Sequence, residues 1–247
     1  MTNFFEKPNI LVVAAHIGDF VWRSGGSIAK YTQAGSRIHL IVVSDGLRGE
    51  ANDYWRQAGS NWDDGVELRR KEGSEAATIL GIESLEFWGL SDYPMEIDLS
   101  HIERLAHKIR EFRPDIILTH SNYDRFNPDH NLVHELVVRA GVCSSAAGFV
   151  DGHSVGPRQT PLFGFEPHMT EISDFRPVVY VDITESFETK CRAMKVFATQ
   201  PGMYADYVRK AEVRGGEARS RGNRVGCQYA EAFSVHAPIA ASGGFVW

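Results

Sequence analysis

Two short segments carry the residue types that could bind a metal and do chemistry. In the segment AAHIGD, His16 follows an apolar run and Asp19 comes three residues later; in NPDHNLVH, the proline favours the start of a helix and places His130 in its first turn. Imidazole nitrogen and carboxylate oxygen suit a borderline cation such as zinc. Three protein ligands that leave a fourth position open are typical of a catalytic zinc. We therefore predict a catalytic metal site on His16, Asp19 and His130.

Neighbouring polar residues are expected to support those ligands. A His-x-x-Asp spacing alone is also compatible with a hydrogen-bonded histidine at a strand end, but the adjacent Asp129 and His130, after a later strand of the same sheet, favour the metal site. His134 lies four residues beyond His130 on the same helical face, so it could be a fourth ligand, a support for a ligand, or a packing residue of the helix. We assign Asp129, His120 and His134 to the layer that orients the metal ligands.

Alternating strands and helices would bring these side chains to one edge of a sheet. Strand–helix alternation implies parallel pairing with right-handed crossovers, so we predict an α/β fold, a Rossmann-like three-layer sandwich with a mostly parallel sheet. Ligands of such sheets bind beyond the carboxyl ends of the strands, near the switch in strand order. Apolar runs predict strands over 10–15, 38–43, 85–90, 115–119, 161–165 and 178–183, and helical spacing predicts helices over 27–34, 66–80, 101–112, 132–142, 187–199 and 202–219.

Length and composition describe an ordinary globular chain. The sequence has 247 residues, 43% of them hydrophobic and 23% charged, and no stretch resembles a linker, so we expect one catalytic domain over 1–247. Its net charge of −6, without a basic run, argues against a nucleic-acid partner, because such binding depends on neutralising phosphates.

Several features predict a cytoplasmic protein without a membrane partner. The three cysteines, Cys143, Cys191 and Cys227, are far apart and form no CxxC pair, which indicates a reducing compartment. The first residues form no export signal, and the apolar run over 10–15 is too short to span a membrane.

Several segments resemble the LmbE-like, or PIG-L, deacetylase superfamily, over most of the chain. They are residues 12–26, 68–81 and 114–120 and the NPDH segment. The resemblance implies a zinc-dependent Rossmann-like domain with the motifs A-H-P-D-D-E and H-P-D-H. The family's zinc ligands match His16, Asp19 and His130.

Two departures change the expected reaction. Gly18 stands where the family has its hydrolytic general base, and Asn127 replaces a histidine that stabilises the oxyanion. Amide hydrolysis needs both groups, and loss of a base costs ~10²–10⁴-fold in rate, although Asp129 could substitute. The segments AAHIGDFVWRSGG, DYPM, FEPH and RPVVYVDIT resemble the branch that contains 4-oxalomesaconate hydratase of bacterial gallate degradation. That resemblance implies addition of water across a carbon–carbon double bond.

Hydration of such an acid requires a Lewis acid, groups that move protons, and cations for the carboxylates. Zn²⁺ would serve as the first, although iron or manganese stays open. We choose Glu50, in the glycine-flanked GLRGE loop after the second strand, and His168, in FEPH, as the catalytic acid and base. A solvated loop carboxylate and an exposed turn histidine are the alternatives.

Substrate contacts are assigned to polar residues near the strand ends. For each arginine a surface salt bridge is at least as good an explanation, but an arginine can also clamp a carboxylate with two hydrogen bonds. Trp55 and Trp62, in the long loop over 46–64, could cover the site or pack on a neighbouring subunit. The predicted substrate-binding residues are Arg23, Arg48, Arg70, Tyr93, Asn122 and Asn127.

Three functions stay open. The first is a zinc-dependent hydratase of a small unsaturated keto-polycarboxylate; the second is a zinc-dependent N-deacetylase of an N-acetyl sugar or amine, with Asp129 or Glu50 as base; the third is a metal-binding module without turnover. The loop tryptophans and the apolar tail over 237–247 suggest a homo-oligomer, although the tail could equally pack on its own core.

Overall fold

The computed structural model describes residues 7–149, 152–157 and 160–237. Within these residues seven strands form one sheet. In chain order they are β1 (Ile10–Ala14), β2 (Ile38–Ser44), β3 (Ser84–Leu90), β4 (Ile116–His120), β5 (Leu162–Phe165), β6 (Val179–Asp182) and β7 (Ala230–Val235). Their order across the sheet is β3-β2-β1-β4-β5-β7-β6, and β7 is antiparallel to both of its neighbours.

Helices cover both faces of this sheet. They are α1 (Asp19–Gln33), α2 (Asn52–Trp55), α3 (Trp62–Leu80), α4 (Leu99–Phe112), α5 (Pro128–Ser145), α6 (Phe187–Met194) and α7 (Met203–Ser220), with a 3-10 turn at Thr170–Ile172. Among the described residues, none of the helices combines the length and the apolar character that a membrane crossing requires.

Side-chain alternation along β1 builds two cores. Val12 and Ala14 pack with α1, α3, α6 and α7, whereas Leu11 and Val13 pack with α4 and α5. All four side chains are fully buried, and each fully buried Val or Leu stabilises the fold by about 1.5–3 kcal/mol relative to exposure. The predicted Rossmann-like three-layer sandwich with a mostly parallel sheet is confirmed.

The point where strand order reverses lies between β1 and β4. Chain segments leave the carboxyl ends of these adjacent parallel strands in opposite directions, which opens a crevice at that edge of the sheet. The segments that follow β1, β2 and β4 all begin at this edge, so the fold brings His16, Glu50 and His130 towards one place.

Four sequence predictions need correction. The first helix begins at Asp19 rather than at residue 27, so Gly25 and Gly26 lie inside it. A Cβ on Gly26 would lie 2.4 Å from the Ile183 side chain, so the close packing of these two residues requires the glycine. The predicted loop over 46–64 contains α2. The helix predicted over 187–199 ends at Met194. Strand β7 was not predicted, and it separates β5 from β6.

Two further expectations concern the cysteines and the tail. Cys143, Cys191 and Cys227 all carry free thiols, consistent with the absence of a predicted disulfide framework. The apolar tail falls almost entirely on residues 238–247, which lie outside the described residues.

Candidate metal centre and active site

A tight turn at the end of β1 aims His16 and Asp19 at one point. The backbone N–H of His16 donates to Asp19 Oδ2 at 2.9 Å, and the N–H of Asp19 donates to the His16 carbonyl at 3.3 Å. Asp19 then opens helix α1, where its negative charge complements the helix dipole. Both side chains are buried.

Each histidine of the predicted metal site is held by a second carboxylate. Asp129 Oδ2 accepts from His16 Nε2 at 3.3 Å, and Asp124 Oδ2 accepts from His130 Nδ1 at 2.9 Å. These bonds select the tautomers that leave His16 Nδ1 and His130 Nε2 with free lone pairs. Both of these nitrogens are buried and have no hydrogen-bond partner among the described residues. A carboxylate behind each imidazole is the usual arrangement for metal-binding histidines.

The two distances from Asp19 to the predicted ligand histidines have the spacing of a tetrahedral zinc site. Asp19 Oδ2 lies 3.5 Å from His16 Nδ1 and 3.4 Å from His130 Nε2. Zinc–ligand distances of about 2.0–2.2 Å in a tetrahedron place neighbouring ligand atoms roughly 3.3–3.6 Å apart. Among the described residues, two overlapping sets of potential ligands have atoms that all lie within 4.8 Å of one another: His16, Glu50 and His130, and Asp19, His120 and His130.

Electrostatics also favour a cation here. Burial lowers the pKa of His16, but the carboxylates of Asp129, Asp19 and Glu50 outweigh that effect and raise its pKa to about 10. Burial would raise the pKa of Asp19, yet the opposing charge of His130 keeps it well below its usual range. The carboxylates that favour a proton on His16 would favour a cation in the same way, and a bound cation would replace the proton at Nδ1.

His120 and His134 lie behind the ligands. His120 Nε2 is 3.5 Å from Asp19 Oδ2, but this nitrogen accepts the backbone N–H of Ala15 at 2.9 Å, so its lone pair is not free for a metal. Burial and the neighbouring His130 lower the pKa of His120 well below its ordinary value, in keeping with a neutral acceptor. His134 Nδ1 donates to the His120 carbonyl at 2.8 Å, which ties α5 to the end of β4.

Glu50 lies beside the predicted metal ligands and accepts hydrogen bonds from three side chains. Its Oε1 lies 3.7 Å from His16 Nδ1 and accepts from Tyr93 Oη at 2.8 Å and from Asn127 Nδ2 at 3.0 Å. Its Oε2 accepts from Gln200 Nε2 at 3.1 Å. The carboxylate is 20% exposed, so it faces the open side of the pocket with its orientation fixed.

Gln200 was not found from the sequence. Its Oε1 accepts from Trp22 Nε1 at 3.2 Å and from an Arg69 guanidinium nitrogen at 3.3 Å. Both partners are donors only, so the amide must turn its N–H towards Glu50. Arg69 is fully buried and also donates to Thr199, whose hydroxyl donates to Glu72.

A sequence signal for Arg69 did exist. Helix α3 buries positions 69, 72, 73, 76, 77 and 80, the period of one helical face, and Arg69 is in phase with its small and apolar members. The neighbouring Arg70, which we predicted to bind substrate, lies off that face and forms a bidentate pair with Asp45 at 2.8 and 3.0 Å.

Gly18 leaves no room for a side chain. Its φ of 157° is one that L-residues rarely adopt, and a Cβ there would lie 2.7 Å from Trp22 Nε1 and 2.8 Å from Gln200 Oε1. The indole and the amide thus occupy the space that a carboxylate at this position would need.

The other predicted substrate-binding residues differ in their surroundings. Arg23 is buried and donates to Asp19 Oδ1 at 3.2 Å and to the Glu166 carbonyl at 2.6 Å. Arg48 is exposed, has no carboxylate partner among the described residues, and lies over the Trp62 ring. Asn122 is exposed on the loop after β4.

Tyr93 lies against a predicted metal ligand, and Trp55 supports the loop that carries Glu50. The Tyr93 ring stacks on His16 with centroids 5.7 Å apart, and a Cβ on Gly49 would lie 2.2 Å from that ring. Trp55 donates to the Leu47 carbonyl at 2.7 Å, which ties α2 to the loop that carries Glu50.

His168 lies on the segment that follows β5. Solvent reaches it, and its ring is 6.1 Å from that of Tyr207, whose buried hydroxyl has no partner among the described residues. Partial desolvation and the positive charges of Arg23 and Lys210 lower the pKa of His168.

Comparison with known proteins adds a family and relatives of stated activity. The sequence model of the PIG-L family, GlcNAc-PI de-N-acetylase, matches residues 11–141. A 4-oxalmesaconate hydratase of Pseudomonas putida is 37% identical over 213 residues, which are 86% of this chain and 82% of the relative. A deacetylase of 1D-myo-inositol 2-acetamido-2-deoxy-alpha-D-glucopyranoside from a Mycobacterium species is 26% identical over 235 residues, 81% and 76% of the two chains.

A solved structure gives the same likeness. The crystal structure of GalB, the 4-carboxy-2-hydroxymuconate hydratase of Pseudomonas putida, superposes with a TM-score of 0.90 and 34% identity. The match covers 96% of this chain and 100% of that one.

Proposed function

The chain belongs to the PIG-L family, and we propose that it is a hydro-lyase that adds water to a small unsaturated keto-polycarboxylate, with 4-oxalomesaconate as the favoured substrate. The two relatives that are 34–37% identical over most of their length are named as hydratases. The observation that carries the proposal is the set of three hydrogen bonds to Glu50, which holds a carboxylate 3.7 Å from His16 Nδ1 while Gly18 offers none.

The metal ligands are proposed to be His16, Asp19 and His130, with zinc as the metal. Their spacing and their two free imidazole nitrogens support this choice. A bound zinc ion would supply Lewis-acid polarisation of a substrate carboxylate or keto oxygen.

Glu50 is proposed to take the proton from the attacking water. Hydration breaks one O–H bond of water, forms a C–O bond at one alkene carbon, and leaves the π electrons at the other carbon and its conjugated carbonyl. Tyr93, Asn127 and Gln200 hold the Glu50 carboxylate in one orientation, which supports general-base action on a water bound in the pocket.

His168 is proposed to deliver the proton to carbon. It follows β5, whereas Glu50 follows β2, so the two groups reach the carboxyl edge of the sheet from different strands. Arg48, exposed and without a carboxylate partner among residues 7–149, 152–157 and 160–237, is the best placed of the predicted arginines to bind a substrate carboxylate. Tyr93, Asn122 and Asn127 remain predicted contacts.

The deacetylase alternative has less structural support. Asp129, one of its two proposed bases, accepts the backbone N–H groups of Tyr93 and Met95 at 3.0 and 3.1 Å as well as His16 Nε2. Three of the roughly four lone-pair sites of its carboxylate are therefore engaged, so Glu50, the base that both alternatives share, is the carboxylate more open to a substrate.

An ultraviolet assay tests the proposed reaction. Zinc-loaded protein is mixed with 4-oxalomesaconate and, in parallel, with an N-acetylglucosamine derivative. We expect loss of the conjugated keto-acid absorbance, abolished by a chelator and restored by zinc, and no release of acetate. Acetate release without any change in that absorbance would replace the hydratase by the deacetylase.

Two further expectations remain proposals. A cytoplasmic location and a homo-oligomeric state follow from the sequence patterns alone, with a small carboxylate as the main partner. Fractionation of cells and sedimentation of the purified protein would test them.

A further inference from the structure

Lys210 of helix α7 makes an unusual set of contacts with the segment that carries His168. Its ammonium Nζ donates to Glu166 Oε1 at 3.1 Å, to the Pro167 carbonyl at 3.0 Å and to the His168 carbonyl at 3.1 Å. Three acceptors require three N–H donors, which only the protonated amine supplies. The side chain is only 21% exposed, so these bonds replace most of its contact with water.

Two arginines also bind this segment, residues 166–168. Arg214 forms a bidentate pair with the Glu166 carboxylate at 2.7 and 3.0 Å, and Arg23 donates to the Glu166 carbonyl at 2.6 Å. Three consecutive residues, 166–168, are thus tied to α7 and to α1 by cations. These contacts fix the position of a segment that has no regular secondary structure, and with it the position of His168.

We propose that Lys210 is a positioning residue for His168, which it holds in place through the backbone carbonyls of Pro167 and His168 and the carboxylate of Glu166. The proposal rests on the proposed function of His168 as a proton carrier. It adds a residue outside the proposed metal centre to the machinery.

The charges around His168 give the sign of the effect. Arg23 from α1 and Lys210 from α7 oppose protonation of the ring, while Asp206 of α7 and Asp124 of the loop after β4 favour it; Tyr207 packs against the ring. Removing the Lys210 charge therefore raises the pKa of His168. Whether His168 acts as base or acid, the limb of the pH profile that depends on it moves to higher pH.

The test combines kinetics with NMR. In Lys210→Met we expect kcat to fall about 10–100-fold, with KM changed less, because the proton carrier is misplaced. The His168 imidazole resonance, identified by its loss in His168→Ala, should titrate about 0.5–1 pH unit higher. Lys210→Arg should restore the pH position but not the full kcat, since a guanidinium keeps the charge and not the three-point geometry.

Controls separate the possible outcomes. Lys195→Met removes the same charge at an exposed site that contacts the Tyr204 ring and should leave kcat, KM and the His168 titration unchanged. If Lys210→Met does not fold, Lys210→Arg carries the test through its lower kcat at an unchanged His168 titration. Wild-type kcat in the folded variants, with an unmoved His168 resonance, would overturn the proposal. Full activity of His168→Ala would instead reject the proposed role of His168, and the NMR titration would still report on Lys210.

Discussion

The proposed metal centre and the proposed proton-transfer groups are built in different ways. His16 and Asp19 are positioned by a turn of four residues, and His130 by the first turn of the helix that follows β4. Glu50 and His168 depend on residues distant in sequence: Gln200 is 150 positions from Glu50, and Lys210 is 42 positions from His168. Local geometry therefore places the metal ligands, whereas tertiary contacts place the acid and base.

The two regions therefore depend on different parts of the chain. Each proposed metal ligand is positioned mainly by its own segment, although Asp129 supports His16 from 113 positions away. The proton-transfer groups need helices α3 and α7, the loop that ends in Gln200, and a glycine at position 18 that lets Trp22 and Gln200 meet. Substitutions in the part of the chain that follows α5 should change turnover while the metal stays bound.

The largest expected effect belongs to the metal centre itself. His130→Ala removes a ligand whose ring is held by Asp124, so we expect loss of bound metal and of hydratase activity to below the assay limit. Metal content by atomic emission, measured beside the ultraviolet assay, checks both. His107→Ala, on helix α4, is the matched control and should retain metal and activity. Full activity in His130→Ala would remove this residue from the proposed ligand set.

Substitutions of the proposed acid and base should lower turnover without loss of metal. Glu50→Gln and His168→Ala should each lower kcat by about 10²–10⁴-fold, because each removes a group that moves a proton, while one metal ion per chain is retained. The isosteric Glu67→Gln, on the surface of helix α3, is the control for Glu50→Gln. Wild-type rates in either variant would reject the role of that residue. Loss of metal from Glu50→Gln would instead make Glu50 a ligand, since its Oε1 is within 3.7 Å of His16 Nδ1.

The difference between the regions also decides what the sequence could predict. Apolar runs predicted β1, β2 and β4 because these strands are buried on both faces. Strand β7 was missed because AEAFSV is short, rich in small residues, and contains a glutamate; the structure buries that Glu231 against Lys190 at 2.6 Å. A buried ion pair between distant residues leaves no local pattern.

The same reasoning applies to the site. His16, Asp19 and His130 stand in recognisable motifs, whereas Asp124 and Gln200 are identified only by what they touch after folding. We predicted Arg70 as a substrate contact and did not predict a role for the adjacent Arg69. The structure gives the two arginines different surroundings: Arg69 is fully buried behind Gln200, whereas Arg70 pairs with Asp45. Helical phase could have separated them, because Arg69 is in register with the buried face.

The residue behind a metal ligand should have an intermediate effect. Asp124→Asn keeps the shape but removes the charge that orients His130, so we expect metal affinity to fall about 10–100-fold with little loss of activity at saturating zinc. Competition with a chromophoric chelator measures the affinity. Asp53→Asn, on α2 with a side chain that is 45% exposed, should leave it unchanged. An unchanged affinity in Asp124→Asn would mean that His130 is oriented by helix α5 alone.

The smallest expected effect is at Gln200, and it tests the comparison most directly. Gln200→Leu removes the N–H that holds Glu50 Oε2 and leaves Trp22 Nε1 without its acceptor, while Tyr93 and Asn127 still bind the other carboxylate oxygen. We expect kcat to fall about 10-fold, because one of three contacts that orient the base is lost, with metal content and KM close to wild type. Gln57→Leu, an exposed residue whose amide reaches only the Asp53 carbonyl, is the control. A fall in metal content instead of kcat would show that tertiary contacts of the second half also position the metal, and the two regions would then form one unit.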